Sequence, residues 1–103
     1  MLSLWEAVRQ IRSDFASQFG RNVGLPEACW LAGRIAVYVA KLPVREDDNA
    51  GTVVNDAERV FESVLRPYNV GDKAFHVARL FLRPMVTQAL AAAYRAAKHG
   101  DKS

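Results

Sequence analysis

Residues 26–41 read PEACWLAGRIAVYVAK. Within that run Ala28, Ala32, Ala36 and Ala40 recur every four positions, with Gly33 beside them. Side chains four apart share one face of an α-helix, and small ones there let a second helix approach near the short end of the ~8–10 Å interaxial range. Residues 89–97, ALAAAYRAA, repeat the spacing at Ala89, Ala93 and Ala97. The sequence therefore predicts two helices packed on each other through small faces, within one chain or across a homodimer. For the later stretch, alanine's high helix propensity is a plainer explanation of equal weight.

The helical period extends outward from there. Leu4, Val8, Ile11, Phe15 and Phe19 form one stripe, which predicts a helix over 4–19 with Ser3 and Glu6 as its capping box. Pro26 suits the first position of a second helix over 26–41, and Pro43 stops it. Val53, Ala57, Val60, Phe61, Val64 and Leu65 face one way in a third helix over 54–66, opposite Asp56, Glu58, Arg59, Glu62 and Arg66. Asp72 can cap a fourth helix over 73–98, in which Pro84 removes the backbone bond to the Leu80 carbonyl. No strand-like alternation competes. The expectation is an all-α, compact bundle of four helices, the last long and kinked at Pro84. It is a single helical domain over 1–99 with a disordered tail over 100–103.

Composition narrows the function classes. The chain has 103 residues, half of them hydrophobic, with 14 Lys+Arg against 11 Asp+Glu and one Cys. That is enough apolar material for a core and too much for a disordered tail. One Cys excludes an internal disulfide framework. Glu6, Arg9 and Arg12 interrupt the apolar runs a secretory leader needs, and no run of ~18 apolar residues spans a membrane. A cytoplasmic location follows as the expectation. The high ratio of Arg to Lys and the abundance of Ala are of the kind that GC-rich bacterial or phage genomes encode.

Catalytic chemistry finds few reagents. The acidic segment Glu46-Asp47-Asp48-Asn49-Ala50-Gly51 suggests a calcium loop, but placing Gly51 sixth puts Ala50 fifth and Ala57 twelfth, where oxygen ligands are required. A solvated loop is the better reading. Phe15 to Gly20 faintly resembles the first half of a helix-turn-helix, but the following helix begins with apolar residues and Glu27 where base readout wants Arg, Lys, Asn, Gln or Ser. Cys29 has no base within a helical turn and reads as a buried structural thiol. His76 and His99 have no ligand partners at metal spacing. No catalytic residue, metal or cofactor is expected.

Two surface features rise above this background. His76, Arg79 and Arg83 fall within about 60° on the fourth helix at 100° per residue, a cationic ridge suited to phosphates or an acidic partner. Its plain reading is a solvated stripe paired to Glu58 or Glu62 of the third helix. Trp5, Arg9 and Arg12 share a flank of the first helix, able to stack on bases or anchor a protein interface; equally, Trp5 can fold over the core edge under Arg9. Asp14 reads as a surface residue, and Arg34 as part of a polar line reaching solvent. The preferred expectation is a non-enzymatic small helical protein-interaction module: an adaptor, an assembly subunit or an inhibitor of a larger complex, phage- or mobile-element-borne in keeping with the composition. The alternative is a nucleic-acid-associated helical protein or small ribonucleoprotein subunit.

Overall fold

The structure, a computed structural model, describes residues 4–19, 22–42 and 50–100. They form four helices, α1 (Val8–Gln18), α2 (Leu25–Lys41), α3 (Ala50–Leu65) and α4 (Asp72–Gly100), and no strand among the described residues. The all-α four-helix expectation holds.

Element boundaries differ where local chemistry competes with the period. Helix α1 starts four residues later than expected, because residues 4–7 form tighter turns. The Ala7 and Val8 N–H groups donate to the carbonyls of Leu4 and Trp5, at 3.1 and 3.3 Å. That winding still buries Leu4 and Ala7, so the apolar stripe survives the change of helix type. The proposed cap Ser3 lies outside the described residues. At α2 the Glu27 carboxylate accepts from the Gly24 N–H at 3.1 Å, closing the first turn from the carboxylate side alone. Helix α3 begins at Ala50 and takes in Gly51 and Thr52. The glycine of the calcium-loop reading is thus helical; residues 43–49 lie outside the described residues. Helix α4 runs unbroken across Pro84. The Gly71 carbonyl accepts from the Phe75 N–H at 2.9 Å, which makes Asp72 the first helical residue rather than the cap. Residues 101–103 lie outside the described residues.

Contacts set the relative directions. Phe61 meets Phe75 at 5.4 Å between ring centroids, while Glu58, one turn earlier on α3, meets Arg79 and Arg83 further along α4. Hence α3 and α4 are antiparallel. Phe19 and Phe15 meet Trp30, and Asp14 reaches Tyr38, so α1 and α2 are antiparallel too. Arg12 pairs with Ser63, and Phe15 with Tyr68 at 5.1 Å, so α1 and α3 run parallel. The most extensive backbone approach is between α2 and α4, and α1 and α4 do not approach each other. The section is therefore a rhombus, with α2 and α3 across its short diagonal and α1 and α4 at the far corners.

The two helices expected to pack on each other, α2 and α4, do so within one chain. Ala28 and Ala32 are fully buried on α2, as are Ala78 and nearly Ala93 on α4, whereas Ala36 is half-buried and Ala40 exposed. Ala28 and Ala32 have no surface left for a second copy. Around them Ile11, Phe15, Leu31, Ile35, Val60, Phe61, Leu82 and Val86 make one core, each large side chain contributing about 1.5–3 kcal/mol by burial. At 29 residues α4 is about 43 Å long at 1.5 Å per residue. It accounts for the 47 × 23 × 19 Å extents and a radius of gyration of 14.1 Å, against ~13 Å for a rounder domain of this length.

Candidate functional site

Three charged clusters sit between the helices. In the first, Glu58 of α3 is buried at 8% exposure, and its two carboxylate oxygens face α4. Arg79 Nη2 donates to Oε2 at 2.8 Å and Arg83 Nη1 to Oε1 at 2.9 Å. Arg79 also reaches Glu62 at 3.2 Å. The Glu58 hydrogen bond, outweighing burial and aided by the charges of Glu58 and Glu62, raises the Arg79 guanidinium above its ordinary value. His76 is exposed on the same flank, and Thr87 Oγ1 donates to the Arg83 carbonyl at 2.9 Å. The ridge exists, but its two arginines are matched by two carboxylates. Its plain reading describes this arrangement.

The second cluster joins α1 and α3. Trp5 is 43% exposed; Arg9 and Arg12 are exposed, and Arg12 donates to Ser63 Oγ. On α3, Arg59 lies four residues before Ser63 and Arg66 three after, on the same side of the helix as Ser63. Both are exposed. Among the described residues none of these four arginines has an ion pair. Half-buried Asp56 is the carboxylate on this side of α3. The arginine stacked on tryptophan is Arg34 over Trp30, 5.4 Å from the ring centroid, so Trp5 is not held under Arg9. Sequence reasoning found Trp5, Arg9 and Arg12 but did not attach Arg59 and Arg66. Their spacing with Ser63 was visible; that this stripe meets α1 was not.

The third cluster corrects the reading of Asp14 as a surface residue. It is half-buried between α1 and α2, accepting from Gln10 Nε2 at 2.9 Å and from the Tyr38 hydroxyl at 3.2 Å. Arg34 Nε lies 3.6 Å from Asp14 and is buried without a hydrogen bond. Arg34 therefore only partly reaches solvent, and its charge is answered by a carboxylate that α1 supplies. Burial first, then the charge and hydrogen bond of Asp14, push the Tyr38 phenol up.

Cys29 is half-buried against the core rather than enclosed by it. Glu27, beside a shallow depression with Asn22 and Asn69, is engaged as the α2 cap. Among the described residues no three of His, Cys, Asp and Glu come together to hold a metal ion, and no helix is long and apolar enough to cross a membrane. One apolar surface stands out: on α4, Leu80 and Phe81 are 59% and 53% exposed, beside exposed Pro84 and half-buried Val77.

Fold and surface together define a class: a small all-α four-helix bundle with a charge-matched flank, an unpaired arginine face and an exposed apolar ridge. Comparison with protein families, with characterised proteins and with solved structures found no match to this chain.

Proposed function

We propose that the protein is a non-enzymatic helical interaction module that docks a protein partner on the outer face of α4. One observation carries this reading. Helix α4 already buries Ala78, Leu82, Val86 and Leu90 in the core, yet its opposite side presents Leu80, Phe81 and Pro84 to water. Large adjacent apolar side chains held outward on a rigid helix are what interface centres are built from. Arg83, whose side chain is 61% exposed despite its bond to Glu58, borders the ridge and favours a partner with carboxylates at its rim. The charge-matched cluster counts against phosphate binding at this flank.

The test is site-specific photo-crosslinking in the native host, with the reactive side chain at Phe81 and, as control, at exposed Asn55. The expected outcome is one dominant protein adduct from Phe81 alone, abolished by Leu80→Glu. Equal adducts from both positions, or none from Phe81, overturns the proposal.

A further inference from the structure

We infer that the α1–α3 face carrying Trp5, Arg9, Arg12, Arg59 and Arg66 is a binding site for a single-stranded nucleic acid. The site lies on elements other than the α4 ridge and does not depend on it.

The fold leaves positive charge on this face unanswered. The chain builds cross-helix ion pairs where it has partners: Arg79 and Arg83 with Glu58, Arg34 with Asp14. On the helices joined by the Arg12–Ser63 bond, the exposed Arg9, Arg12, Arg59 and Arg66 have none among the described residues. Like charges so placed repel, and the arrangement is relieved when anions bind between them. Of the carboxylates nearby, Glu62 is engaged by Arg79 at 3.2 Å and Asp56 is single and half-buried; Asp56 and Glu6 together set two negative charges against four arginines, so the face keeps a net positive charge.

Arg59 to Arg66 spans seven residues of α3, about 10 Å at 1.5 Å per residue, and Arg9 to Arg12 spans three residues of α1, about 4.5 Å, with Trp5 in the turns that precede it. The two rows run side by side on parallel helices, with Arg12 anchored between them by Ser63. An extended backbone laid along this seam meets cations at successive phosphates from both sides. Guanidinium forks suit phosphate oxygens in pairs.

Trp5 lies in the turns just before α1, 43% exposed, and among the described residues no cation covers its ring. Electrostatics alone would suit a duplex or an acidic peptide equally well. An exposed indole at the end of an arginine row adds a stacking platform, and only an unpaired base offers a free face to it. The combination favours a single strand.

The experiment is fluorescence anisotropy with a labelled 20-nucleotide oligothymidylate, compared with the same strand in duplex with oligoadenylate. If four phosphates are engaged, the logarithm of affinity falls with the logarithm of salt at a slope of about −2.8, a loss of roughly 50-fold between 50 and 200 mM. Arg9→Gln and Arg59→Gln should each flatten that slope by about 0.7. Trp5→Ala should weaken single-strand binding roughly 5- to 150-fold with the slope unchanged. Arg95→Gln, on the last turns of α4, should change nothing, and circular dichroism should show every variant folded. No binding at 50 mM salt overturns the inference, as does binding indifferent to Arg9→Gln with Arg59→Gln. Duplex binding as tight as single-strand binding overturns the assignment to an unpaired strand. Equal competition by polyglutamate at matched charge makes the face one for an acidic protein.

Discussion

The α3–α4 flank and the α1–α3 face look alike in the sequence, each a short series of arginines at helical spacing. In the fold they differ completely. Arg79 and Arg83 converge on a carboxylate that is 10% exposed at its side chain, so removing them strands a charge away from water. Among the described residues Arg9, Arg59 and Arg66 have no ion-pair partner, so removing them strands no charge there. A helix wheel shows which residues share a side; the neighbouring helix decides whether that side is structural or free.

The largest test of this contrast is a pair of double variants followed by urea unfolding. Arg79→Gln with Arg83→Gln should cost about 2–3 kcal/mol. That is below the 3–5 typical of a broken buried pair, because both arginines are more than a third exposed. Arg59→Gln with Arg66→Gln should stay within about 0.5 kcal/mol, as surface changes do. Equal losses would erase the distinction between the two regions.

Next in size, Glu58→Gln should cost about 1–2 kcal/mol by weakening two charge-assisted bonds, while Glu62→Gln, on a half-exposed carboxylate with one bond, should cost less than ~0.5. A reversed order would move the centre of the cluster from Glu58 to Glu62.

The Asp14 cluster supplies an intermediate case. Asp14→Asn should cost about 1 kcal/mol through its bonds to Tyr38 and Gln10. The Tyr38 phenol is raised above 10.0 in the fold; its neutral form is the favoured one. The stability linked to it is therefore complete below pH 10 and lost as pH climbs through the raised value. Removing the Asp14 charge should bring Tyr38 ionisation to lower pH, with burial, the largest cause, keeping part of the shift. Alkaline titration of tyrosinate absorbance, with Tyr38→Phe as reference, measures both effects. An unchanged titration in Asp14→Asn would detach Tyr38 from this carboxylate.

Smallest of all, Ser63→Ala should alter stability by no more than ~0.5 kcal/mol, since its bond with Arg12 is exposed. A larger loss would make the α1–α3 seam structural rather than open.

Much of the fold was legible because it rests on period and spacing. The pairing of α2 with α4 was expected and holds for the helices, with Ala28 and Ala32 buried and Ala36 and Ala40 not, and the apolar stripe of α3 placed Val60, Phe61 and Val64 inside. The start of α1 was not legible: turns and helix bury Leu4 and Ala7 equally well, so the pattern does not distinguish them. The start of α3 was missed for a related reason. Gly51 and Thr52 are poor helix formers, and packing of the apolar residues after them carries the helix through. For the site, angular bookkeeping put Arg79 and Arg83 on one side of α4, and both reach Glu58. It gave no means of choosing between solvent and Glu58, because that depends on how α3 is turned against α4. Asp14 and Arg34 face each other across twenty residues of sequence, and only the antiparallel return of α2 brings them together.

The placement of the two tryptophans has an optical consequence. Trp30 is wedged against Phe15 and Phe19, with ring centroids at 6.1 and 5.1 Å, and lies beneath the Arg34 guanidinium. Its emission should be blue-shifted and should move to the red when α1 parts from α2. Trp5 emits from the solvent edge and should be quenched by dissolved iodide or acrylamide while Trp30 is shielded. One unlabelled molecule thus reports in two colours, the blue channel on closure of the bundle and the red one on whatever settles against its arginine face.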